Sequence, residues 1–167
     1  MQAAAIGNLQ PTGNTNQGIG LAWGWLTPGA GVPFNAPPKD TANYTYRDAI
    51  VPLSDGLNTQ NRYSSTASDI DARQKILCDN AKAADVIIYT VQVNTGGDDT
   101  SAVLQYCASG TDKFYLVTDR SQTLSVFNSI GQSLARAARL QVISLRESAL
   151  ATRLEKSPAK MAGLFIC

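Results

Sequence analysis

The polar and apolar positions of the chain fall into alternating blocks of helical and strand period. From Asn16, the residues Ile19, Ala22, Trp23 and Leu26 recur at the spacing of one buried helical stripe, and the pattern stops near Thr27 and Pro28. Residues 28–43 contain Pro28, Gly29, Gly31, Pro33, Pro37 and Pro38, a density that predicts a long surface loop without helix or strand. Residues 46–54 read as a strand. Ala49, Ile50, Val51 and Leu53 are consecutive enough to predict burial on both faces, as in a parallel sheet. Pro52 is the awkward member, because proline cannot donate to a ladder.

After a polar stretch, Ser68 or Asp69 opens a helix whose Ile70, Leu77, Ala81 and Ala84 share a face, with Ile76 at its margin. The run DVIIYTVQV, residues 85–93, is the clearest strand, rich in β-branched and aromatic residues and closed by the turn at 94–97. A short helix over 100–109 carries Val103, Leu104 and Cys107. A third strand covers 113–118, and from Ser121 the stripe Leu124, Phe127, Ile130 and Leu134 predicts another amphipathic helix. Helices alternating with strands across short connections predict an α/β domain with a mostly parallel sheet. Only three strands are visible, and the strand leading to Asp55 lacks an obvious neighbour on one edge. Residues 141–167 carry no reading beyond continuation of the last helix.

Composition narrows the function. At 167 residues the chain suits one domain with a sizeable core. With 44% hydrophobic and 16% charged residues it reads as globular rather than disordered. A formal charge of +1 without a basic cluster offers nucleic acid no electrostatic footprint. The sequence contains no histidine, so Ser-His-Asp and Cys-His catalysis within the chain are ruled out. Cys78, Cys107 and Cys167 are too far apart for a zinc knuckle or a C-x-x-C site. Their residue pattern alone leaves open one disulfide with a free thiol, or three small buried hydrophobes. The first ten residues have no positive leader, and no stretch approaches the ~18 apolar residues of a membrane span, so neither export signal nor anchor is expected in the chain as written.

The candidate chemistry centres on VPLSDGLNT, residues 51–59, where an apolar strand ends in Asp55-Gly56. Parallel-strand proteins bind ligands at the carboxyl ends of their strands, which suits a carboxylate leaving the sheet there. Asp-Gly is equally a strong turn signal, and one residue can do both jobs. Gly18, Gly20 and Gly24 do not make a dinucleotide fingerprint: their spacing is one residue too long and no strand precedes them.

Several ordered stretches carry a family resemblance. GNTNQGIGLAWGWL (13–26), VPLSDGLNT, ILCDNAKAADVIIYTVQV (76–93), VLQYCAS (103–109), DKFYLVTD and SVFNSIGQSLARAARL together resemble the von Willebrand factor A (VWA) domain of TadG-like proteins, the tight-adherence (Flp) pilus-assembly family. The resemblance covers residues 7–140, so that 1–140 is expected to be a partial VWA domain. It implies a Rossmann-like three-layer sandwich with a mostly parallel sheet lacking its first strands.

VWA domains carry a metal-ion-dependent adhesion site (MIDAS) built from D-x-S-x-S after the first strand, a threonine opening a later helix, and an aspartate ending a further core strand. Thr15 matches the threonine and Asp55 the aspartate. The resemblance thus implies Mg²⁺, a hard cation that prefers octahedral oxygen ligands, with a coordination position left for an acidic group of a protein partner. D-x-S-x-S is missing; Asp69-Ile70-Asp71 lies at a helix start without the serines. The expected site is therefore incomplete and its Mg²⁺ weakly held or absent. The resemblance implies a non-enzymatic binding or assembly module of pilus or secretion machinery, periplasmic or inner-membrane-associated in the full-length family. The periplasmic setting in turn implies a Cys78–Cys107 bridge. Two alternatives stand beside this reading: a truncated remnant with no competent site, and a small Rossmann-like enzyme using Asp55 as acid or base.

Overall fold

The computed structural model describes residues 12–31, 34–150 and 162–166. Residues 1–11, Pro33, residues 151–161 of the tail and Cys167 lie outside them. The element order is α1 (Gln17–Leu26), β1 (Ala30–Gly31), β2 (Phe34–Asn35), β3 (Asp48–Val51), β4 (Leu53–Ser54), α2 (Ala67–Ala83), β5 (Ile87–Ile88), β6 (Thr90–Val93), α3 (Ala102–Cys107), β7 (Phe114–Val117), α4 (Gln122–Leu150) and β8 (Ala162–Ile166). A 3₁₀ turn, Thr111–Lys113, leads into β7.

The fold is mixed α/β with parallel pairing, as the alternation predicts. β3 lies between β5 and β8, and β6 lies between β4 and β7, all parallel. Two bonds bridge the groups: the Tyr89 amide donates to the Ile50 carbonyl at 2.9 Å and the Val91 amide to the Pro52 carbonyl at 2.9 Å. Pro52 explains the interruption. Its carbonyl serves the ladder, but without an N–H it cannot make the second bond of that step, at a cost of about 1 kcal/mol. The ladder is therefore interrupted at Pro52 on one strand and at Tyr89 on the other, and resumes as β4 and β6.

Side-chain alternation splits the core into two layers. Ile50 and Ile88 face α1, α2 and α3, packing with Leu21, Cys78, Ala81, Val86, Val103 and Cys107. Ala49, Val51, Tyr89 and Val91 face the other way, against Val117 and the Ile130 and Leu134 of α4. Tyr89 also shares a 2.9 Å hydrogen bond between its hydroxyl and Ser133 Oγ of α4. Three helices on one face and one on the other give the sandwich its layers. The free edge beside β3 is filled by β8, in a register running from Asp48 opposite Ala162 to Val51 opposite Ile166.

Several local readings change. The stripe Ile19, Trp23, Leu26 is the exposed side of α1, at 55%, 47% and 51% exposure, whereas Gln17, Leu21 and Gly24 are buried. α1 is apolar nearly all round, so its period admits two stripes, and packing selects the one centred on Leu21. On α2 the buried positions are Ile70, Gln74, Cys78 and Ala81, with Leu77 half-buried and Ala84 exposed. Leu124 is exposed and Phe127 half-buried on α4. Within the proline-rich loop, β1 and β2 form a small antiparallel pair, and the Trp23 ring meets Phe34 edge-on at 5.8 Å.

The strand read from Asp85 begins at Ile87, because Asp85 belongs to the end of α2. The Val86 amide donates to the Ala81 carbonyl and the Asp85 amide to that of Lys82, each at 3.0 Å, and Asp85 has φ +59°. This pair of bonds is the Schellman closure of a helix.

Cys78 of α2 and Cys107 of α3 form a disulfide, the pairing implied by the resemblance. It encloses a 29-residue separation, for which chain entropy alone predicts about 3–4 kcal/mol of stabilisation.

Candidate functional site

The carboxyl end of β4 delivers Ser54 into a tight turn. Ser54 Oγ donates to the Gly56 carbonyl at 2.9 Å, and that carbonyl also accepts from Gln17 Nε2 at 2.7 Å. Gln17 opens α1, so the strand end and the helix start are held against each other. The segment before α1 then runs beside the loop after β4. The Thr15 amide donates to Thr59 Oγ1 at 2.9 Å, the Thr59 amide to the Thr15 carbonyl at 3.0 Å, and Asn14 Nδ2 to Gln60 Oε1 at 3.0 Å.

Both expected metal-binding residues lie on these paired segments. Asp55 is exposed at the turn and Thr15 half-buried beside it. A Cβ added to Gly56, the residue after Asp55, would sit 3.8 Å from Thr15 Oγ1. A hydroxyl and a carboxylate are the right kind of donor for a hard cation, yet two protein oxygens are a small part of an octahedral shell. Among the described residues no group of three or more Asp, Glu, Cys or His converges on a common point.

Beneath the loop lies a buried polar network that the sequence reading missed. Asn58, 3% exposed, accepts from the Gln17 amide at 2.8 Å and donates through Nδ2 to Asp71 Oδ1 at 2.7 Å and Gln74 Oε1 at 2.8 Å. Gln74, 2% exposed, donates to Gln17 Oε1 at 3.1 Å. That bond closes the ring Gln17–Asn58–Gln74, and Gln17 Nε2 also reaches Ser54 Oγ at 3.2 Å, which joins the ring to the end of β4. Among the described residues no buried side-chain nitrogen or oxygen lacks a partner. A fully satisfied network of this kind specifies one loop conformation, since any rearrangement strands a buried polar group.

The one sequence signal for it is Gln74. It occupies the stripe of Ile70, Cys78 and Ala81, where a polar residue must find partners inside the protein. Asp71 appears in the sequence only as part of a failed D-x-S-x-S match. The structure gives it the role of anchoring Asn58.

The neighbouring strand ends are also capped by side chains. Gln92 Oε1 accepts from the Ser101 amide at 2.8 Å and Thr90 Oγ1 donates to the Leu104 carbonyl at 2.8 Å, tying α3 to β6. After β7, Ser121 holds the Asp119 carboxyl below the usual aspartate range, first through its side chain and also through its amide, which donates to Asp119 Oδ1 at 2.7 Å.

Fold and site together define a Rossmann-like α/β domain with parallel strands and a clamped polar loop at their carboxyl edge. Comparisons with protein-family models, curated proteins and solved structures find no match to this chain. No helix among the described residues is long and apolar enough to cross a membrane.

Proposed function

We propose that this chain is a non-catalytic protein-binding module of VWA type, whose docking edge is the pair of segments carrying Thr15 and Asp55. The observation that carries the reading is the juxtaposition of those segments at the carboxyl edge of a parallel sheet, where α/β folds bind their ligands. The absence of histidine from the sequence favours binding over acid–base or nucleophilic catalysis. The resemblance to TadG-like proteins supplies the setting: a partner in tight-adherence pilus or secretion machinery, met at the periplasmic face of the membrane. Mg²⁺ at this edge is held weakly, because Thr15 and Asp55 offer it one hydroxyl and one carboxylate.

Paramagnetic broadening by Mn²⁺ tests the reading. Amide signals of Thr15, Asp55 and Gly56 should broaden selectively at about millimolar Mn²⁺, compete with Mg²⁺, and lose the effect in Asp55→Ala. Micromolar affinity would overturn the incomplete-shell reading. No selective broadening at these residues would remove the metal from the proposal.

A further inference from the structure

Helix α2 carries two different attachments on one face. Cys78, fully buried, is bonded to Cys107 of α3. One turn earlier, Gln74 holds Asn58 and Gln17, and its Nε2 lies 4.0 Å from Cys107 Sγ. Asp71, almost a turn earlier again, holds the same Asn58. The covalent bond thus fixes α2 against α3 beside the residues that grip the loop after β4. A packed helix released from a cross-link moves as a body, and hydrogen bonds of 2.7–2.8 Å do not survive displacements of about 1 Å.

We propose that the Cys78–Cys107 disulfide sets the conformation of the Asp55 loop through Gln74, a positioning residue, so that losing the bond loosens the loop while the sheet stays paired. The inference concerns the loop's geometry and stands apart from whether the loop binds a metal or a partner. Reduction by a dithiol would add two electrons and two protons to the bonded sulfurs, giving two thiols, while the dithiol closes to its own disulfide. Both sulfurs are buried, so reduction requires α2 and α3 to part first, and substitution is the cleaner perturbation.

Amide hydrogen exchange by NMR on the full chain tests this without any ligand. The loop reporters are Thr59, bonded to the Thr15 carbonyl, and Gln17, bonded to Asn58 Oδ1; the sheet reporters are Tyr89 and Val91, bonded to Ile50 and Pro52. In Cys78→Ala/Cys107→Ala, the exchange rate of the loop reporters relative to the sheet reporters should rise about tenfold or more. Taking the ratio removes any uniform loss of stability. In Gln74→Met, which keeps the disulfide and the side-chain volume, the same ratio should rise comparably. An unchanged ratio in the cysteine variant overturns the proposal. An unchanged ratio in Gln74→Met overturns it equally, and if the cysteine variant does not fold, Cys78→Val/Cys107→Ala, which refills the buried volume without the bond, decides the matter by the same ratio.

Discussion

Removing the Asn58 side chain should cost the fold far more than its place in a polar loop suggests. Asn58→Ala takes away three hydrogen bonds at once. The Gln17 amide, on a residue only 8% exposed, is left without an acceptor, at about 1–3 kcal/mol. The Gln74 carbonyl oxygen loses a donor in a site 2% exposed, adding about 1 kcal/mol. Asp71 is half-buried and rehydrates, so its share is near zero. The sum is about 2–4 kcal/mol, a large part of the roughly 5–15 kcal/mol that holds a domain together. Urea unfolding followed by tryptophan fluorescence, with the disulfide intact, measures it. A loss below about 1 kcal/mol at unchanged m would refute the claim that the network is buried and satisfied.

Asn58→Asp sharpens the test by preserving shape. One oxygen still accepts from Gln17, but the other faces Asp71 Oδ1 and Gln74 Oε1 where the amide donated at 2.7 and 2.8 Å. Protonation restores a donor, so the folded variant takes up a proton more readily than the unfolded chain. Its stability relative to wild type should therefore rise as pH falls from about 7 toward 4.5. A deficit independent of pH would place the carboxyl in solvent and contradict the geometry.

Asp85→Gly should stabilise the protein by up to about 1 kcal/mol, because an L-residue is held at φ +59° on an exposed helix end, and a thermal melt detects the gain. Tyr106 donates its hydroxyl to both Asp79 oxygens, at 3.0 and 2.9 Å, and this bond raises its ionisation above the ordinary tyrosine value. The linked stability is present below that value and is lost as pH rises through the raised one; absorbance titration near 295 nm should show two late tyrosines, Tyr106 and the partly buried Tyr115, of which Asp79→Asn brings only Tyr106 back toward the ordinary range.

What could be read from the chain depended on whether one residue type admitted one environment. The strands at 48–54 and 87–93 were legible because runs of β-branched residues bury on both faces only in a covered sheet. The buried face of α1 was not, since QGIGLAWGWL is apolar on nearly every side and Leu21 competes with Ile19 and Trp23 on equal terms. Pro52 signalled trouble correctly, but a break that the sheet simply spans, with ladder on either side, required the partner strand to be seen. At the candidate site, Thr15 and Asp55 were picked out by motif, and the structure sets their segments side by side. Gln17, Asn58 and Gln74, which fix that arrangement, escaped notice because amide side chains have no periodic or charge signature and acquire meaning only from partners distant in sequence.

The two faces of the sheet differ in how their cover is attached. α2 and α3 are covalently joined to each other and tied to α1 through the Gln17–Gln74 contact, so this layer leaves the sheet together or not at all. Among its described side chains, α4 is held without a covalent link, by Ile130, Leu134, Val126, Phe127 and the hydroxyl pair of Tyr89 and Ser133. On heating, the clamped loop at Asp55, built on the stapled side, should keep its shape for as long as this layer stays on the sheet.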